Sequence, residues 1–317
     1  MARSNYSHEF AGGLTVRGIP IIQAHPGKVF WVGNAAAAAL EGQRAASNGN
    51  VGTFDAPFST LDYAIGKCTA GRGDIIFVKP GHAENISAAA GIAADIAGVA
   101  IIGLGTGAAR PTFSWTAAAA TLAITAANIT LHNLRFVANF ADVTTMFDVS
   151  GAGDGLSFEN CLFTDTSTIL NFVDCITLAT GADDLSFINC RGIGKSASND
   201  SFLTGVAHDR FYMADCQWQL DVAQTAVVGL FETSGNATNV WIKDSVFCSI
   251  VDGALFLDFN GANNTGVIAN CYFSSLDIAG AVTAGFDFTG GHMFECYVAG
   301  EADTYGIIGG GTAYNNA

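Results

Sequence analysis

Between Asn128 and Val298 the chain is written in short runs of alternating apolar and polar positions. In the run LSFEN, Leu156 and Phe158 fall on one side and Ser157 and Glu159 on the other, the period-two pattern of a half-buried strand. The runs recur in one phrase: NITLHNLRF (Asn128–Phe136), GLSFENCLF (Gly155–Phe163), DLSFINCRG (Asp184–Gly192), RFYMADCQW (Arg210–Trp218), NVWIKDSVF (Asn239–Phe247), TGVIANCYF (Thr265–Phe273) and GHMFECYV (Gly291–Val298). Near the middle of each copy stands a polar residue: Asn133, Asn160, Asn189, Asp215, Asp244, Asn270 and Glu295, at steps of 27, 29, 26, 29, 26 and 25 residues. A second apolar run precedes each copy, as in MFDV (Met146–Val149) or ITLAT (Ile176–Thr180), and Gly, Asn and Asp lie between the runs. Those three residue types suit corners that need a positive φ or a local side-chain bond.

A period of this length means stacked supersecondary units. Helices fit poorly: outside Ser59–Ala70 few stretches keep a 3.6-residue apolar period, and the 38 glycines recur too often. A sandwich would show short strands but not one phrase returning every 25–29 residues. The pattern predicts an all-β fold, a right-handed single-stranded parallel β-helix, with like residues stacked about 4.8 Å apart. About nine such coils would make a prism roughly 40–45 Å long.

The polar corner residues then form a structural ladder through Asn133, Asn160, Asn189, Asp215, Asp244 and Asn270. Cys161, Cys190, Cys216, Cys271 and Cys296 each follow a corner residue and predict an internal thiol stack, broken where Val246 stands two places after Asp244. A metal site would need close pairs such as C-x-x-C, which the chain lacks, so no metal or cofactor is expected. Neighbouring coils lie within disulfide reach, but with no secretory signal visible free thiols are expected.

The residues divide into a leader over 1–50, a β-helix domain over 51–298 and a tail over 299–317. Ser59–Asp62 reads as a capping-box-like start, with Asp62 in the place of Glu, for a cap helix over 59–70. Leu61, Ala64, Ile65 and Cys68 give that helix one apolar stripe to plug the open end of the solenoid. The tail shows no amphipathic helix, so either it folds over the last coil or a partner covers it.

The stretch Gly52–Ile86, G-T-x-x-x-P-F-x-T-L-x-x-A-I followed by G-D-x-I-x-V-x-P-G-x-x-x-E-N, resembles the opening of right-handed β-helix proteins of the pectin-lyase-like superfamily. The leader GGLTVRGIPIIQAHPGKVFWVGN (Gly12–Asn34) is similar to that of β-helix proteins encoded by tailed bacteriophages. The resemblance implies a virion structural protein, assembled in the host cytoplasm and commonly trimeric, partnered by its own copies and by the major capsid protein or another virion protein. For the enzymes of the superfamily it implies clustered acids with Arg or Lys on one outer face.

Composition narrows the alternatives. The chain is 50% apolar and 13% charged with a formal net charge of −15. Thirteen Lys and Arg against that balance argue against a nucleic-acid groove, and no apolar stretch is long enough to span a membrane. Charge is uneven: residues 1–50 hold four Lys or Arg against two acids, and the remainder nine against 26. Arg3, Arg17 and Lys28 are therefore candidate partner-binding residues, an arm docking on an acidic surface.

Candidate chemistry is sparse. Asp183, Asp184, His208 and Arg210 lie beside turns of successive units and are the weak catalytic candidates. Paired carboxylates cleave glycosides when held about 5–9.5 Å apart, but Asp is also an ordinary turn residue. Trp115, Trp218, Trp241 and Tyr272 are candidates for stacking on sugar rings or for core packing. The expectation is a non-enzymatic virion protein, decorating or cementing a capsid through its N-terminal arm. The alternatives are a tail-associated receptor- or glycan-binding β-helix and a polysaccharide lyase or hydrolase.

Overall fold

The structure is a computed structural model describing residues 14–16, 19–21, 27–34, 43–220, 230–249, 256–275, 286–300 and 306–308. The chain is a right-handed parallel β-helix whose central coils each give one strand to each of three sheets. Among the described residues the first sheet has ten strands, from Val29–Val32 to His292–Phe294, and the second has ten, from Ala83–Ile86 to Gly306–Ile308. The third has eight, from Ile92–Ala94 to Phe286–Asp287.

Period-two alternation puts one column of every sheet inside. In the first sheet Ile76, Ile101, Leu131, Phe158, Phe187, Met213, Ile242, Ile268 and Met293 stand in register and are all buried. The second sheet contributes Phe113, Phe136, Phe163, Gly192, Trp218, Phe247 and Phe273. The third adds Leu122, Phe147, Ile176, Leu203, Phe231 and Leu257. Their rings interlock: Phe158 stacks on Phe187 with centroids 5.2 Å apart, and Phe136 meets Phe147 edge to face at 4.8 Å. Gly192 is glycine because a Cβ there would lie 2.3 Å from the Trp218 ring. The missing side chain makes the room that the indole fills.

The corner between the first and second sheets is one residue in the left-handed region. Asn133, Asn160, Asn189, Asp215, Asp244, Asn270 and Glu295 all have φ between 50 and 56°. Asn and Asp reach this conformation more readily than other non-glycine residues, which is why they mark the repeat.

The β-helix reaches further upstream than residue 51. Val29–Val32 pairs in register with Ile75–Val78 and opens the first sheet, so this part of the expected leader is a coil strand. The cap helix is shorter than expected, Leu61–Ile65, although Leu61, Ala64, Ile65 and Cys68 are buried over the end of the core. Its capping box does not form. Asp62 turns away to accept the Ala93 N–H at 3.0 Å, and the Glu84 carboxylate accepts the Leu61 N–H at 2.9 Å instead. At the other end Gly306–Ile308 pairs antiparallel with Cys296–Gly300, so the tail lengthens the second sheet. Among the described residues no helix is long and apolar enough to cross a membrane.

Candidate functional site

The repeat builds two columns of polar residues at opposite corners. At the first, Asn160 donates its amide to the Asn133 side-chain oxygen at 3.0 Å, Asn189 to Asn160 at 3.4 Å, and Asn270 to Asp244 at 2.6 Å. Asn133 itself donates to the carbonyls of Gly103 and Gly105. Among the described residues no side-chain bond joins Asp215 to Asn189 or to Asp244. Asp215 and Asp244 have no amide to donate to the rung before them, so the expected ladder is two segments.

The thiols lie just inside this corner. Cys161, Cys190, Cys216, Cys271 and Cys296 are free and buried. The missing rung is Ser245, not Val246: its hydroxyl donates to the Lys243 carbonyl at 2.8 Å, as Cys216 does to that of Ala214 at 3.2 Å. Val246 points outward and is 38% exposed. Burial pushes the Cys190 and Cys216 thiols up, so they stay protonated and unreactive. Among the described residues no group of three or more His, Cys, Asp or Glu side chains is placed to hold a metal ion.

The other corner, between the third and first sheets, gathers all four candidate catalytic residues. The Asp183 N–H bonds to the Asp154 carboxylate at 3.1 Å, and the Asp183 carboxylate takes the Asp209 N–H at 2.9 Å. The Arg210 guanidinium donates to both oxygens of Asp184, at 2.5 and 2.9 Å, and also to Asp209. Asp209 further accepts from the Thr238 hydroxyl at 2.6 Å and the Asn239 amide at 2.7 Å. The Thr238 bond, then Asn239 and Arg210, hold its carboxyl below the usual carboxylate range. A group held ionised in this way cannot serve as a proton donor. His208 has left the surface: it is 4% exposed, its ring meets Phe211 and Phe259, and burial lowers its pKa.

Two shallow depressions flank this corner. One, of about 330 Å³, is lined by Thr180, Gly181, Asp183, Asp209 and Asn236. The larger, about 450 Å³, lies on the outer face of the first sheet between Asp184, Ser186, Ile188, Arg210, Tyr212 and Trp241. Its floor follows from register, since Ser186, Tyr212 and Trp241 are successive rungs of one outward column and Ile188 belongs to the next. Trp241 is 47% exposed, and the Lys243 ammonium sits 5.9 Å from the Tyr212 ring centroid.

The four aromatic candidates thus separate. Trp115 and Trp218 are fully buried, whereas Trp241 and Tyr272 are exposed. Tyr272 stacks on Tyr297 at 5.0 Å on the outer face of the second sheet, away from Trp241. Of the expected partner-binding residues, Lys28 is exposed and its backbone N–H bonds to Asp74 at 2.6 Å; Arg3 and Arg17 lie outside the described residues.

Two acids that sequence reasoning passed over stand out in the structure. Asp165 lies on an inward column in register with Ala138 and is 1% exposed. Its carboxylate accepts the N–H groups of Phe172 at 3.0 Å and Lys195 at 2.8 Å, tying together two loops that lead into the third sheet. Burial outweighs those bonds and pushes Asp165 up to about 7. Asp174, on the outer face of the third sheet, accepts from the Ser201 hydroxyl at 3.0 Å. Burial, aided by Asp200 and Glu232, pushes it up to about 6. The signal for Asp165 was an acid two places after the inward Phe163, as in LFTD (Leu162–Asp165).

No protein-family model matches the chain, and no curated protein matches it. A similar solved structure is a rhamnogalacturonan lyase, 13% identical, with 86% of this chain and 82% of that one covered at a TM-score of 0.40. Similarity at this level says nothing about the chemistry of the outer faces.

Proposed function

We propose that this chain is a non-enzymatic recognition protein, a rigid β-helix that grips a glycan in the groove between Tyr212, Trp241 and Arg210. The observation that carries the reading is the pairing of a half-exposed indole with a polar rim in one open groove. An aromatic face covers the C–H face of a pyranose, and the carboxylates and amide of the rim accept and donate to its hydroxyls. The corner acids are engaged by Arg210 and backbone N–H groups, an arrangement for holding a ligand rather than breaking it. The likeness of the leader to phage proteins makes a virion the setting of this reading, on the tail or as a capsid decoration protein, with self-association into a trimer as its natural form.

A glycan array probed with the full chain and with Trp241→Ala tests it. The account expects binding by the former that falls at least tenfold in the variant, with the melting temperature kept because Trp241 lies outside the core. Equal binding by both proteins would overturn it.

Asp174 favours a second reading, hydrolysis or elimination on the outer face of the third sheet. An acid held near 6 beside Asp200 and Glu232 has the form of a general acid. Release of reducing ends from a polysaccharide, abolished in Asp174→Asn, would establish that reading over the first.

A further inference from the structure

The charge arrangement around the Trp241 groove narrows the class of glycan it takes, an inference that rests on the glycan-binding reading above. Four carboxylates border the groove and its corner: Asp184 on the rim, Asp183 and Asp209 behind it, and Glu159, which is in register with Ile188 on the neighbouring coil. Two cations face them. Arg210 has its Nε, Nη1 and Nη2 groups committed to Asp184 and Asp209, and Lys243 lies over the Tyr212 ring. The guanidinium is therefore matched by its own acids, and a sugar carboxylate would have to displace one of them to reach it. The chain as a whole, this groove included, carries a formal net charge of −15, which disfavours the approach of an anion.

We infer that the groove selects uncharged sugars, hexose or N-acetylhexosamine units, and rejects uronic acids and other anionic glycans. An uncharged pyranose loses nothing to this field. Its apolar face sits on Trp241, and its hydroxyls can donate to the outward lone pairs of Asp184. The ion pair with Arg210 fixes that carboxylate in place, so the ligand need not order it.

Isothermal titration of the full chain with an N-acetylglucosamine tetramer, a mannose tetramer and a galacturonate tetramer tests the inference, at about 20 mM and about 300 mM salt. Expected is binding of at least one neutral tetramer that hardly changes with salt, and at least tenfold weaker binding of the galacturonate. In Asp184→Asn the galacturonate should gain several-fold while Trp241→Ala loses the neutral ligand. Galacturonate binding as tight as the neutral ligands, lost in Trp241→Ala and weakened by salt, would overturn the inference and leave the glycan reading standing. If none of the three binds, and an array of neutral glycans is also silent, both fall together.

Discussion

Arg210 stands one coil above Asp184 at the same corner, and both are left-handed, with φ of 59 and 55°. The guanidinium spans the step between coils and takes both oxygens of Asp184. A long side chain in this conformation is strained where Asn or Gly would not be. Arg210→Gly removes both the strain and the clamp. We predict that its melting temperature stays close to that of the parent while glycan affinity falls, because Asp184 is no longer fixed. A large drop in melting temperature, followed by circular dichroism, would show instead that the clamp is structural.

The broken corner ladder makes an opposite prediction. Asp215→Asn gives the column a donor between Asn189 and Asp244 and relieves adjacent carboxylates, so it should stabilise the fold by about 0.5–1.5 kcal/mol. Asn160→Ala should destabilise by about 1–3 kcal/mol, losing bonds to both neighbours and placing alanine at φ 51°. Denaturant unfolding of the two variants reads both signs.

Asp165 sets a pH dependence. Its pKa is raised in the folded state from 3.8 to about 7, so the folded protein holds that proton more tightly than the unfolded chain. The stabilisation is complete below pH 3.8 and is lost as pH rises towards 7, by about 4 kcal/mol in all. Asp174, raised to about 6, contributes with the same sign. In Asp165→Asn the slope of stability against pH between 4 and 7 should shrink, measured by denaturant midpoints at several pH values.

His208 acts in the other direction. Burial lowers its pKa, so its share of stability is present above 6.5 and is lost as pH falls below that value. His208→Leu should remove this acid sensitivity while keeping the contacts with Phe211 and Phe259. An unchanged acid limb in the pH profile would contradict the assignment.

Much of this was legible in the chain because the repeat keeps strict register. Counting from the corner residue fixes parity: Trp241 stands three places before Asp244 and matches Tyr212, three before Asp215, on the outward column. Trp218 stands three places after Asp215, on the inward one. Arg210 over Asp184 follows from the same count, as does Ser245 in the cysteine column, which the comparison with Val246 missed by one position. Asp165 was legible only as an acid at inward parity, and Asp174 was not legible. The partners of Asp165 come from loops between the second and third sheets, which vary in length and carry no repeated phrase, and Asp174 meets Ser201 and Glu232 on later strands of the third sheet. The strand at Val29–Val32 was hidden too, since it carries no repeated phrase and its place is set by pairing with Ile75–Val78 and by backbone bonds to Gly52 and Phe58.

The most direct measurement is a crystal structure of the full chain soaked with the tightest-binding neutral oligosaccharide. The account predicts a pyranose stacked on Trp241 with a hydroxyl donating to Asp184. A sugar seated instead on the outer face of the third sheet, against Asp174 and Glu232, would contradict it.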